Sequence, residues 1–157
     1  MKLNIGISDT NRKSAASILN QLLSDEYVLY TKTRNYHWNV TGSDFGELHK
    51  FFEAQYEELN AVIDTVAERA RSLGGVSFGS LEEFLEHAKI KETRGANLIP
   101  RKMIKNLLTD HEAIITRLRE NLAVCLDKLG DMGTSDFLTG LMEQHEKMAW
   151  MLRAYLE

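Results

Sequence analysis

Residues 43–75 read SDFGELHKFFEAQYEELNAVIDTVAERARSLGG, and this stretch decides the fold. Leu48, Phe52, Gln55, Leu59, Val62, Val66 and Leu73 recur every three or four residues, the period of one helix face, and nothing in the stretch alternates with period two. Ser43 or Asp44 can cap such a helix, with Glu47 placed to close a capping box on Asp44, and Gly74-Gly75 makes a stop. A helix of that length runs to about 45 Å.

The same period governs the rest of the chain. Upstream, residues 12 to 38 carry Leu19, Leu23, Tyr30, Thr33 and His37 on one stripe and end near Val40-Thr41-Gly42. Downstream, a short amphipathic piece covers residues 81 to 88. A third long block then starts at Pro100, a good first helical residue, and shows Ile104, Leu107, His111, Leu118 and Cys125 before Gly130. The fourth opens at the cap-like Thr134-Ser135 and carries Leu138, Leu141, His145, Met148 and Leu152. With one proline in 157 residues, the expectation is a single all-α domain over residues 1–157. Its architecture is a four-helix bundle with a short helix in the long crossover linker.

The formal charge is −4, which argues against a nucleic-acid binder working by bulk charge. Cys125 is the single cysteine and cannot form an intrachain disulfide, which suits a reducing compartment. No apolar run reaches membrane-spanning or signal-peptide length, so a soluble, cytoplasmic protein is expected.

Chemistry concentrates on the second helix. His49 and Glu53 are four apart, and so are Asp64 and Glu68; all four fall within an arc of about 100° on the helical wheel. An ordinary solvated face would carry similar acidic pairs, so spacing alone leaves that reading open beside a metal site. The midpoints of the pairs lie roughly 22 Å apart along the axis, so one metal centre cannot draw on both pairs of one straight helix. If two copies of the helix pack antiparallel about a twofold axis near residues 58 and 59, His49 and Glu53 of one chain meet Asp64 and Glu68 of the other. His37, returning through a short loop, would lie beside His49 of its own chain. Two imidazoles and three carboxylates suit iron or manganese and accept zinc. His111 and His145 sit on apolar stripes and read as hydrogen-bonded core residues, and His87 reads as an exposed polar residue of the linker.

The stretch HWNVTGSDFGELHKFFE, residues 37 to 53, followed by IDTVAERARSLGG, residues 63 to 75, closely resembles the signature of the Dps family, the mini-ferritins named as DNA-binding proteins from starved cells. The likeness extends over nearly the whole chain, and ferritin-like bundles share the crossover connectivity expected here. The usual intrabundle Glu-x-x-His pairs are absent, since Arg34, Gly46, Phe84, Leu108 and Met142 precede the five histidines by three. The resemblance implies instead an inter-subunit ferroxidase centre, with His37, His49 and Glu53 from one subunit and Asp64 and Glu68 from its twofold partner. It implies a dodecameric shell that oxidises ferrous iron, preferably with hydrogen peroxide and otherwise with oxygen, and stores the ferric mineral inside, protecting against oxidative stress. On the same resemblance Trp38, next to a ligand, would either trap a stray oxidising equivalent or serve as a packing aromatic. Asp127, Asp131 and Asp136 fall where relatives line a threefold pore, and a ring of carboxylates there would draw cations inward. Glu53 stands where the family uses Asp or Glu. Ser77 stands where many relatives have proline.

The family name raises DNA compaction as an alternative function. The first 14 residues offer only Lys2, Arg12 and Lys13, offset by Asp9, and no lysine-rich extension is expected beyond Glu157. An acidic shell repels a polyanion unless cations bridge the two.

Overall fold

The computed structural model describes residues 3–94 and 98–157; Lys2 lies outside them. Five helices follow in order: α1 Asp9–Asn39, α2 Phe45–Ser72, α3 Leu81–His87, α4 Pro100–Asp127 and α5 Met132–Ala154. The expected all-α bundle with a short helix in its crossover is what forms.

Side-chain pairs between helices give the directions. Tyr36, Lys32 and Asp25 of α1 meet Asn106, Asp110 and Arg117 of α4, so these two run antiparallel. Arg69, Gln55 and Glu47 of α2 meet Asp131, Met148 and Tyr155, so α2 runs antiparallel to α5. α1 packs along α2 and α4 along α5, with α3 lying on α1. The crossover uses α1 as a track. Arg12 donates to the Leu73 carbonyl at 2.8 Å, Asn20 bonds the backbone of Val76 and Phe78, and Asp25 accepts from the Lys89 and Ile90 amides. Each anchor lies further along α1, so the linker is carried from one end of the bundle towards the other. Ser77 adds a tie, its hydroxyl donating to the Ala67 carbonyl at 2.6 Å.

The stripes expected from the sequence fill the core, with Leu19, Phe52, Leu59, Leu107, Leu118 and Leu138 fully buried. Cys125 lies among them, and burial pushes its thiol up to about 11, so it is neither a nucleophile nor a ready ligand.

The helix ends differ from expectation in three places. α1 starts at Asp9 rather than near residue 12, because Ser8 caps it by accepting from the Asn11 amide. At α2 the capping box on Asp44 does not form: Asp44 takes the Ser43 hydroxyl and Glu47 takes the Tyr155 hydroxyl, so both carboxylates are already engaged. The reciprocal box forms at α3 instead, between Ser80 and Glu83. α5 starts at Met132, ahead of Thr134-Ser135, because Asp131 accepts from the Thr134 amide at 2.9 Å.

Gly74 ends α2 with φ +80, a left-handed conformation that suits glycine. Gly75 is required for another reason, since a Cβ there would stand 2.6 Å from the Ala16 Cβ. The chain can therefore turn back tightly against α1.

Candidate metal centre

His37 ends α1 and His49 opens α2, and the short loop between them lays one imidazole on the other. Their ring centroids are 3.7 Å apart with planes inclined 21°. The Nδ1 of His37 lies 2.8 Å from the His49 carbonyl, and the Nδ1 of His49 lies 2.9 Å from the His37 carbonyl. A carbonyl oxygen only accepts, so both Nδ1 atoms carry the proton. In the neutral rings the lone pair is therefore on Nε2 in each case, the tautomer a metal ligand needs, set by backbone contacts. His37 is buried and His49 half-buried.

Glu53 lies one turn beyond His49 on α2 and is half-buried. Its Oε1 is 3.4 Å from the Tyr56 hydroxyl, and the Tyr56 ring meets the His37 ring edge-on at 5.2 Å. Burial, and then the carboxylates of Glu53 and Glu57, push the Tyr56 hydroxyl above its ordinary pKa and keep it protonated. Arg34 covers this corner, its guanidinium carbon 5.0 to 5.5 Å from the ring centres of Tyr30, Trp38 and Tyr56. Sequence reasoning does not single out Tyr56 or Arg34. Their only sequence signal is helical spacing, three residues beyond Glu53 and three before His37.

Asp64 and Glu68 are placed differently. Both are exposed, and neither carboxylate has a hydrogen-bond or ion-pair partner among the described residues. Asp64 lines an open cleft of about 350 Å³ between α2, Tyr27 of α1, and Phe78 and Phe84 of the linker. Among the described residues no three His, Cys, Asp or Glu side chains stand together as a metal site within the chain. One chain thus brings together the histidine half and leaves the Asp64–Glu68 half facing solvent.

Of the remaining titratable groups, His111 and His145 are the core residues expected, fully buried with their Nδ1 atoms 2.9 Å apart. No sequence pattern points to Glu26, whose Oε1 lies 3.0 Å from His145 Nε2 in a contact not aligned as a hydrogen bond. His87 is half-buried against Phe78, its Nδ1 on the Glu83 carbonyl. Asp127 and Asp136 are exposed, whereas Asp131 is buried in its cap and paired with Arg69 at 3.2 Å. Trp38 is 62% exposed.

Four long helices with a crossover that carries a short helix define the ferritin-like class, and the ferritin-like domain model matches residues 16–157. Its relatives narrow the assignment. A DNA protection during starvation protein 2 from Bacillus anthracis is 35% identical over 92% of this chain and 97% of its own. A low temperature-induced protein of Nostoc is 47% identical over 99% of this chain and 87% of its own. The crystal structure of the Dps protein of Vibrio cholerae, described as a ferritin-like diiron-carboxylate protein, superposes with a TM-score of 0.93 at 34% identity, covering 100% of this chain and 98% of that one. The chain belongs to the Dps family of ferritin-like proteins. Among the described residues no helix is long and apolar enough to cross a membrane.

Proposed function

We propose that this protein is a ferroxidase and iron store whose centres are shared between two chains. The observation that carries the reading is the division of the ligands. His37 and His49 present two adjacent Nε2 lone pairs beside Glu53, while Asp64 and Glu68 stand exposed and unpaired on the same helix. Exposed apolar side chains lie near the histidines, at Trp38 and Phe45, and just past the end of α2, at Val76. Such a surface favours burial against a second copy. An antiparallel α2 pair then builds two identical centres per dimer.

Ferrous iron is the substrate. Two ferrous ions held side by side give peroxide both electrons at once: with two protons, one peroxide becomes two waters and two ferric ions form. A lone ferrous ion would instead release hydroxyl radical, so pairing the ions is protective. Imidazole and carboxylate together suit iron, and the same donors accept manganese or zinc. In the dodecameric assembly, exposed Asp127 and Asp136 line the entry for cations, oxygen is the slower oxidant, and the ferric product is stored inside. DNA is not the ligand assigned here. The chain carries −4, and Arg12, one of three cations near the N-terminus, is buried against Asp9 and the Leu73 carbonyl.

The test is anaerobic ferrous loading of size-fractionated protein followed by peroxide. Wild type should consume about one peroxide per two irons, the ratio set by the electron balance of one two-electron oxidant with two one-electron donors. Asp64→Ala with Glu68→Ala should fall to the rate of iron alone; oxidation at the wild-type rate by that variant would refute the centre.

A further inference from the structure

Arg34 is a cation without an anion. The other arginines that are not exposed, Arg12, Arg69 and Arg117, pair with Asp9, Asp131 and Asp25 at 2.7, 3.2 and 3.1 Å. Arg34 is half-buried and has no carboxylate partner among the described residues. Its Nε is buried without a hydrogen-bond partner, and Nη1 donates to the Tyr30 hydroxyl at 2.8 Å. Aromatic faces hold the rest, with the guanidinium carbon 5.0 Å from the ring centre of Trp38, 5.2 Å from that of Tyr56 and 5.5 Å from that of Tyr30.

Drawing a charge partly out of water without an ion partner is costly, and ring faces recover only part of that cost. Packing does not require the charge, since a methionine stem would cover the same rings. What the charge has beside it is the ligand cluster. Arg34 lies one helical turn before His37, and it borders Tyr56, whose hydroxyl is 3.4 Å from Glu53 Oε1 and whose ring is 5.2 Å from that of His37. The field of Arg34 reaches that hydroxyl: burial and then Glu53 and Glu57 push its pKa up, and Arg34 pulls it back.

We propose that Arg34 drives the oxidised product out of the centre, its fixed charge opposing ferric ions more strongly than ferrous ones; the proposal rests on the ferroxidase reading above. A fixed unit charge sets one potential at the site, and the penalty to each ion is that potential times the ion's own charge. A ferric ion is thus opposed by three parts where a ferrous ion is opposed by two. Glu53, joined by Asp64 and Glu68 from a second copy, supplies three negative charges, and Arg34 offsets one. Two ferrous ions bring four positive charges and two ferric ions six, so oxidation itself tips the balance towards release. The carboxylates and imidazoles stay in place for the next pair.

The test compares assembled full-length wild type with Arg34→Gln and Arg34→Lys. Zinc(II) and terbium(III) are the probes, redox-inactive ions with the charges of ferrous and ferric iron. Protein carrying Asp64→Ala with Glu68→Ala is the blank for ions bound elsewhere. Arg34→Gln should bind zinc about tenfold more tightly and terbium about thirtyfold, because removing one charge changes the two logarithms in the ratio of the ionic charges. Arg34→Lys should stay near wild type for both. Given successive ferrous additions with peroxide, wild type should oxidise each at the same rate, whereas Arg34→Gln should slow after the first because its product stays. Arg34→Met, which keeps the stem on the rings, carries the same expectations and takes the place of Arg34→Gln if that variant does not assemble. Equal affinities in wild type and the neutral variants overturn the proposal, as does an equal gain for the two ions. If wild type binds no more ion than the blank, the shared centre itself fails and the role of Arg34 falls with it.

Discussion

Two histidine pairs show how the same residue type serves different ends. His37 and His49 each use Nδ1 on the other's backbone carbonyl, which leaves Nε2 free. His111 and His145 turn Nδ1 towards Nδ1 inside the core, and the contact uses up the lone pair. The sequence separates these cases only partly. Apolar company on the helical stripe marks the core pair, but the tautomer that readies the other pair depends on carbonyls brought close by the loop, which no side-chain pattern encodes. The core pair has a consequence for pH. Burial, and next the neighbouring His145, hold His111 well below the ordinary histidine value, so it stays neutral in the fold. The unfolded chain takes up the proton below about pH 6.5, so this contribution to stability is intact above that pH and drains away as the pH falls through it, by at most about 1.4 kcal/mol per pH unit. Urea midpoints at about pH 7.5 and 5.5 should differ more for wild type than for His111→Leu.

At the level of the helices, hydrophobic period locates every long element, because a stripe buried along a bundle must repeat with the helix. The ends are less legible. Asp44 and Glu47 have the residues of a capping box, yet Ser43 and Tyr155 take their carboxylates, and the Tyr155 contact comes from the far end of the chain. Burial and Glu47 push the Tyr155 hydroxyl up to about 12, keeping it a donor. The turn at Gly74-Gly75 is legible as a stop, though the need for the second glycine is tertiary. A Cβ at residue 75 would meet Ala16 at 2.6 Å and the Ala70 carbonyl oxygen at 3.1 Å. Gly75→Ala should therefore destabilise the fold by about 1–3 kcal/mol, the usual cost of overpacking, seen as a lower denaturant midpoint with unchanged slope.

For the whole molecule, the decisive feature is that a well-packed chain leaves its Asp64–Glu68 pair outside. Helix rise alone places that pair about 22 Å from His49 and Glu53, so it is legible in residue spacing that one metal ion cannot draw on both pairs of a single chain. The state of each half in the single chain is not, because it depends on tertiary contacts: a stacked, tautomer-fixed histidine pair on one side and two unpartnered carboxylates on the other. A centre divided this way can be complemented. A chain carrying His49→Ala with Glu53→Ala lacks one half, and a chain carrying Asp64→Ala with Glu68→Ala lacks the other. In a dimer of the two, one centre has lost both halves, and the other has both intact. The most direct measurement is therefore peroxide-driven iron oxidation by particles co-assembled from the two variants, compared with each variant alone. Shared centres predict that each variant alone is inactive and the mixture recovers a substantial fraction of wild-type activity; a mixture as inactive as its components would contradict the division of the centre between chains.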